Sequence, residues 1–260
     1  MKGIELIGED FSKRRSYESA AKNVGVPLGE GEGYVPLFVD YLEKQDCPIM
    51  LEAFLASKKE RPLLSSSPNA RFPYGCDEKD FPFLRCGDLT PCSREELAFL
   101  HGLGVSEVFD FRSPVGKETS INALESAGIS YRNFYLKPSW PAFSGKTISE
   151  DMLAEAAYKG YRHLIDQKET LEAIGSAFEG AEGKVAFSCA YGRDRTGVVS
   201  LLTEAFLGWD TKRMLVDYAI SYFRLSHLLK GLSAANLGEH YGEIMSPTRF
   251  WDAFAVCGGD

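Results

Sequence analysis

The sequence predicts an α/β fold: a central, mostly parallel sheet flanked by helices. Three observations carry that expectation. From about residue 69 onward, short strand-like runs alternate with stretches of helical spacing. One of those stretches, with Val198, Val199, Leu201, Leu202, Ala205 and Phe206, is apolar nearly all round, as a helix buried against a sheet should be. The segment before it, "KVAFSCAYGRDRTG", passes from a strand-like run through a loop into that helix.

In chain order, residues 22–34, "KNVGVPLGEGEGY", read as a glycine-rich loop. From Val35 to about Ser57 an amphipathic helix or helix pair is expected, broken near Pro48. "RPLLSSSPN" (61–69) reads as a linker. The division that follows is an N-terminal extension, 1–68, partly helical, and a main domain, 69–260. "SREELAFLHGLG" opens with the capping box Ser93–Glu96 and ends at glycine, so it is a helix. "VSEVFDF" (105–111) is a strand, 119–127 a short helix and "SYRNFYL" (130–136) another strand. Met152, Leu153, Ala156, Ala157, Gly160, Tyr161, Leu164 and Ile165 keep helical spacing. Leu171, Ile174 and Phe178 mark a further helix, "KVAFS" (184–188) a strand, and 211–230 a long helix with Met214, Tyr218, Tyr222 and Leu225 on one side.

Composition narrows the function. The 260 residues carry 29 Lys and Arg against 37 Asp and Glu, a net charge of −8. No basic surplus exists to displace counterions, so a nucleic-acid partner is not expected. No run reaches the ~18 apolar residues of a membrane span, and "MKGIELIGEDFSKRR" carries acids where a signal peptide needs an apolar core. The six cysteines (47, 76, 86, 92, 189 and 257) lack paired-ligand spacing and read as thiols of a reducing compartment. The expectation is a cytoplasmic protein without stable membrane insertion, cofactor or metal; the four histidines match no metal-site spacing. "GEGEG" (29–33) has the glycines of a phosphate loop, but Glu30 and Glu32 would repel phosphate.

The chemistry concentrates at Cys189. It follows a buried strand and precedes a helix, the position where open α/β sheets bind ligands. A helix N-terminus offers unpaired N–H groups and a positive dipole end. Gly192 and Gly197 let the backbone turn its N–H groups inward. Arg195, six positions after Cys189, brings a planar fork suited to two oxygens of a phosphate. Together these make a cradle for a tetrahedral oxyanion with a nucleophilic sulfur at its floor. A nucleotide-binding P-loop is excluded, because Val198 and Val199 stand where Lys-Ser/Thr is needed.

Cys189, five residues, then Arg195 and Thr196 resemble the signature of the protein tyrosine phosphatase superfamily. "CAYGRDRTG" is similar to a microbial tyrosine-phosphatase-like group whose loop reads His-Cys-x-x-Gly-Lys-Asp-Arg-Thr-Gly. "NARFPYG" (69–75), "FLRCGDL" (83–89), "VFDFRSPVGKE" (108–118) and "VDYAIS" (216–221) resemble its other motifs, in the same order. The chain departs from that group at Ser188, where it has histidine, and at Arg193, where it has lysine.

The resemblance implies a cysteine-dependent phosphomonoester hydrolase acting through a cysteinyl-phosphate intermediate. Its expected substrates are phosphotyrosine proteins, with dual-specificity, phosphoinositide or inositol phosphate activity as extensions. Cys189 is the expected nucleophile, Arg195 the oxyanion binder and Asp194 the leading general acid, with Asp110, Glu150 and Asp151 as alternatives. Backbone N–H groups of Ala190, Tyr191, Gly192 and Arg193, with Thr196 and Gly197, would bind substrate; the Thr196 hydroxyl would hydrogen-bond the sulfur. The Arg193 side chain would favour a second phosphate, or else pair with a neighbouring acid. Asp110 and Arg112 read as an ion pair beneath the loop, and Ser188 as a weaker support than histidine. Two other readings stand beside this one: a phosphate-binding pseudophosphatase and a rhodanese-like sulfurtransferase. The sequence does not specify an oligomeric state.

Overall fold

Strand–helix alternation predicts where the chain should pair, and the computed structural model shows how. It describes residues 48–59, 61–76, 81–114, 118–139 and 159–235. Four strands form one sheet: β1 (Phe83–Cys86), β2 (Val105–Asp110), β3 (Ser130–Asn133) and β4 (Lys184–Ser188). Their order is β1-β4-β2-β3 and every pairing is parallel. The sheet is therefore the parallel α/β type expected. β4, the strand before Cys189, lies between β1 and β2, which is why its residues Val185–Ser188 are all buried.

Successive side chains of a strand face opposite ways, and β4 divides the core accordingly. Phe187 stacks on Phe83 with ring centroids 4.8 Å apart and meets Phe109, Phe111 and Phe178. That cluster continues through Tyr161, Leu164, Ile174, Val198, Leu201 and Tyr218. Ala186 faces a second cluster with Leu84, Val108, Leu97, Leu100, Leu124 and Ile129.

The helices are α1 (Pro48–Lys59), α2 (Arg94–Gly102), α3 (Glu118–Ser126), α4 (Lys168–Glu179), α5 (Asp194–Phe206) and α6 (Thr211–Ala235), with residues 159–165 also helical. The Ser93–Glu96 capping box is formed in full, each side chain bonding the other's backbone N–H. α1 packs on α6, where Phe54 meets Phe223 edge-on at 5.4 Å.

The structure differs from the sequence reading in several places. β1 was not anticipated as a strand. The strand expected over 130–136 ends at Asn133, although Phe134 and Leu136 still donate to the carbonyls of Asp110 and Phe111. α5 starts at Asp194 and exposes Phe206, which is 72% accessible, so the helix is not buried all round. The linker reading of 61–69 does not hold, because Leu64 is in the core and the serines are bonded. Ser65 Oγ and the Ser66 N–H donate to Glu96, and the Gly87 N–H donates to Ser67 Oγ at 2.9 Å. Burial works against the Glu96 charge, but these donors and the Ser93 N–H outweigh it and hold the carboxyl at about 2. The expectations for 22–34, for 35–47, for Met152–Ala157 and for Glu150 and Asp151 lie outside the described residues.

Candidate active site

Cys189 follows β4 directly and is 3% exposed. The loop from Ala190 to Arg193 then turns into α5, so the chain reverses at the carboxyl edge of the sheet. What fixes its shape is a set of donors behind it. Asn69 Nδ2 donates to the carbonyls of Tyr191 at 3.2 Å and Gly192 at 2.8 Å. Arg85 Nη2 donates to those of Gly192 at 3.1 Å and Arg193 at 3.4 Å. The Asp88 N–H donates to the Ala190 carbonyl at 3.1 Å. In a trans peptide the N–H points opposite to the C=O. Four loop carbonyls drawn backwards therefore turn the N–H groups of residues 191–194 to the opposite side, where an anion would sit.

The donors are themselves held. Arg85, fully buried in β1, forms an ion pair with Asp217 of α6. Arg71 Nη2 donates to the Asp217 carbonyl at 2.6 Å and to Ser221 Oγ at 3.1 Å, while its Nη1 bonds Asn69 Oδ1. Arg71 and Arg85 also exchange both backbone hydrogen bonds at 2.9 Å, laying residue 71 along the edge of β1. Burial opposes the Asp217 charge, but these two arginines and the Tyr74 N–H keep the carboxyl below its ordinary value. Glu204, wholly buried on α5 beside Asp217, is pushed the other way, by burial and by that neighbouring charge, which favours its protonated form.

Gly192 is required at its position. Its φ is +65°, and a Cβ there would collide with the Cys86 carbonyl. Gly197 serves differently from the expectation: it lies inside α5, and a Cβ would come within 2.6 Å of the Tyr218 ring. The glycine permits close packing of α5 on α6 rather than an unusual backbone.

The predicted side chains sort into two groups. Arg195 is half-buried; its Nη1 donates to the Phe111 carbonyl at 3.3 Å, and among the described residues no carboxylate pairs with it. Asp110 and Arg112 form the expected ion pair, Arg112 reaching both Asp110 oxygens and also Asp88. The pair stands at the end of β2, next to the loop, where the Phe111 N–H donates to the Ser188 carbonyl at 2.8 Å.

Arg193 takes the second of its two expected roles, beside a neighbouring acid. Its side chain is 1% exposed, with Nε 3.8 Å from Asp194 and the guanidinium over the Tyr222 ring, so it faces the core rather than a second substrate phosphate. Asp194 accepts a hydrogen bond from the Tyr161 hydroxyl at 2.9 Å, and Tyr161 in turn contacts the Tyr218 hydroxyl at 2.6 Å. Burial and the Asp194 charge push Tyr161 well above its ordinary value, so it is the donor. The Tyr191 side chain packs against the core cluster, leaving its backbone to line the loop. Ser188 Oγ donates to the Gly87 carbonyl at 2.9 Å, tying β4 to the end of β1. The buried Thr196 hydroxyl makes no hydrogen bond, the one expected to the sulfur included.

Sequence reading missed Asn69, Arg71, Arg85, Asp217 and Ser221 as members of the site. Three of the motifs that carried the resemblance converge here, and their polar residues hold the loop from behind. The signal was an arginine inside an otherwise apolar strand, Arg85, and an aspartate inside the buried stretch 214–225 of α6, Asp217.

Among the described residues no group of three or more His, Cys, Asp or Glu gathers as a metal site, and no helix is long and apolar enough to cross a membrane.

Comparison with known proteins completes the description. Solved structures with similar backbones include a candidate phosphatase (DUF442) from Shewanella putrefaciens CN-32, 16% identical, covering 64% of this chain and 89% of its own with a TM-score of 0.36. Another is TpbA from P. aeruginosa, in a cysteine-to-serine form bound to phosphotyrosine: 15% identical, covering 74% and 89%, TM-score 0.35. No curated protein sequence matches. The sequence model of the tyrosine phosphatase family matches residues 79–253, which takes in the whole sheet, Cys189 and its loop; with well over half its length inside that match, this chain belongs to the tyrosine phosphatase family.

Proposed function

We propose that this phosphatase hydrolyses phosphomonoesters through a phosphate bound covalently to Cys189, with phosphotyrosine in proteins as the preferred substrate. One observation carries the reading. The loop carbonyls are bonded from behind, so the N–H groups face forward, and Arg195 stands beside them with no carboxylate partner among the described residues. That is a preorganised site for a phosphoryl group, needing no rearrangement as charge develops on its oxygens.

In the proposed first step the Cys189 thiolate attacks phosphorus, the S–P bond forms and the P–O bond to the substrate breaks. The leaving oxygen takes a proton from a general acid. In the second step water attacks phosphorus and gives a proton back to the carboxylate left by the first step, the S–P bond breaks with its electron pair returning to sulfur, and inorganic phosphate leaves. The loop N–H groups and Arg195 bind the equatorial oxygens in both steps. Asp194 is the proposed acid: it opens α5 within the loop, and Tyr161 fixes the orientation of its carboxyl. The buried Arg193 removes the feature that favoured a second phosphate on the substrate, which shifts the preference from phosphoinositides to aryl phosphomonoesters.

The test is turnover of phosphotyrosine peptides, phosphoserine/threonine peptides, phosphoinositides and inositol phosphates in the presence of EDTA. Cys189→Ser is expected to lose at least a thousandfold in kcat while still binding inorganic phosphate. Activity near that of the parent protein would overturn the assignment of the nucleophile.

A further inference from the structure

The arginines behind the loop do more than hold it. Arg71 also lines a half-open cleft of about 210 Å³ on the far side of the network, with Arg61, Leu63, Phe72, Pro73, Cys76 and Arg224. No residue from 188 to 197 borders that cleft, so it is separate from the phosphate cradle. Among the described residues its wall holds three guanidinium groups and no carboxylate. Arg71 and Arg224 are 2% and 7% exposed.

Buried charge is tolerated when it is compensated, and compensation around Arg71 is incomplete. Its Nη1 and Nη2 are used on Asn69, Asp217 and Ser221, but its Nε–H is buried with no acceptor. Asp217 is shared with Arg85, so two buried guanidinium groups lean on one ionised carboxylate. Glu204, the other acid at this point, also draws Arg71 upward, but burial and Asp217 push its own carboxyl toward the protonated form. The result shows on Arg71: burial pulls it down to about 9 in spite of Asp217 and Glu204, with Arg85 and Arg224 pushing the same way as burial. Arg61 lies at the exposed rim of the cleft and pairs with no carboxylate among the described residues. Cys76 adds no negative charge, since burial pushes its thiol up to about 12 even with Arg213 Nη2 at 3.2 Å. Glu52 of α1 is taken by the Tyr74 hydroxyl and by Lys212.

We propose that this cleft is a second anion site, taking a phosphate group, free or esterified, between Arg61, Arg71 and Arg224. The volume has room for a tetrahedral oxyanion together with a water, and guanidinium forks match its oxygens. The cleft also communicates with the cradle through a short chain of bonds: Arg71 to Asn69, and Asn69 to the Gly192 carbonyl. An anion there supports the loop through Arg71.

The experiment uses the full chain carrying Cys189→Ser and Arg195→Ala, so that binding in the cradle is disabled. Inorganic phosphate and glycerol phosphate are titrated by calorimetry. One phosphate is expected to bind per chain, and its affinity should fall at least tenfold with Arg61→Glu, which changes an exposed residue and leaves the fold intact. Arg224→Gln, checked for folding by circular dichroism, should weaken it as well. Equal binding of both compounds identifies the phosphate group itself as the ligand, and binding of inorganic phosphate alone identifies the free ion; either supports the site. No binding, or an affinity unchanged by Arg61→Glu, overturns it. Two phosphates per chain, one of them lost with Arg61→Glu, would support the cleft while counting against the assignment of Arg195.

Discussion

The loop around Cys189 and the network behind it are both rich in polar groups, yet they are built in opposite ways. The loop is local: residues 189–195 carry its sulfur, its forward-facing N–H groups and its arginine. The network is assembled from four distant segments, contributing Asn69 and Arg71, Arg85, Glu204, and Asp217 with Ser221. In the loop the backbone donors are left open toward a ligand. In the network Asn69 and Arg85 donate to loop carbonyls, and Arg71 and Arg85 converge on Asp217. The difference shows how the site divides its work: backbone groups that meet phosphate stay open because others hold the loop from behind.

If that division is right, the largest effect should come from breaking the network at its centre. Arg85→Ala leaves Asp217 buried beside a single arginine and frees the Gly192 and Arg193 carbonyls. Removing one partner of a buried pair costs about 3–5 kcal/mol, to be read from urea unfolding. Stability within about 1 kcal/mol of the parent would mean that the loop holds its own shape.

Asp194 stands on the border between the two regions, since it opens α5 but accepts a hydrogen bond from buried Tyr161. As a general acid it belongs to the loop, and Asp194→Asn should then slow tyrosyl or alkyl phosphates about a hundredfold. A substrate with a good leaving group should be slowed far less. An equal loss on both would assign Asp194 to the network instead.

A smaller effect tests the protonated carboxyl. Below about pH 4.5 Glu204 carries its proton in both folded and unfolded chains. Above that, the unfolded chain releases a proton that the folded chain keeps, so stability falls as pH rises until the folded group ionises. Glu204→Gln removes this dependence. From about pH 5 to about pH 8 the variant should gain stability relative to the parent in thermal unfolding. A constant difference across that range would show that Glu204 is already ionised in the folded protein.

The same contrast explains what was legible in the sequence. The loop could be read because its chemistry is contiguous, and β4 and the Ser93 cap because their patterns are local. β1 was obscured by Arg85, a charge in a four-residue strand whose partner lies 132 residues away. Serines at 65–67 resemble a linker by composition, yet each meets a partner some 20 to 31 residues distant. Arg193 and Arg195 look alike in sequence, two places apart. Only the fold shows that one side chain turns into the core over Tyr222 and the other lies along the loop toward Phe111.

The most direct measurement is to stop turnover of an aryl phosphate with acid during the steady state and map the phosphorylated peptide by mass spectrometry. The geometry predicts one phosphate, attached to Cys189 and absent from the Cys189→Ser protein. Phosphate on another residue, or turnover in Cys189→Ser at the parent rate, would contradict a nucleophile held at the floor of this loop.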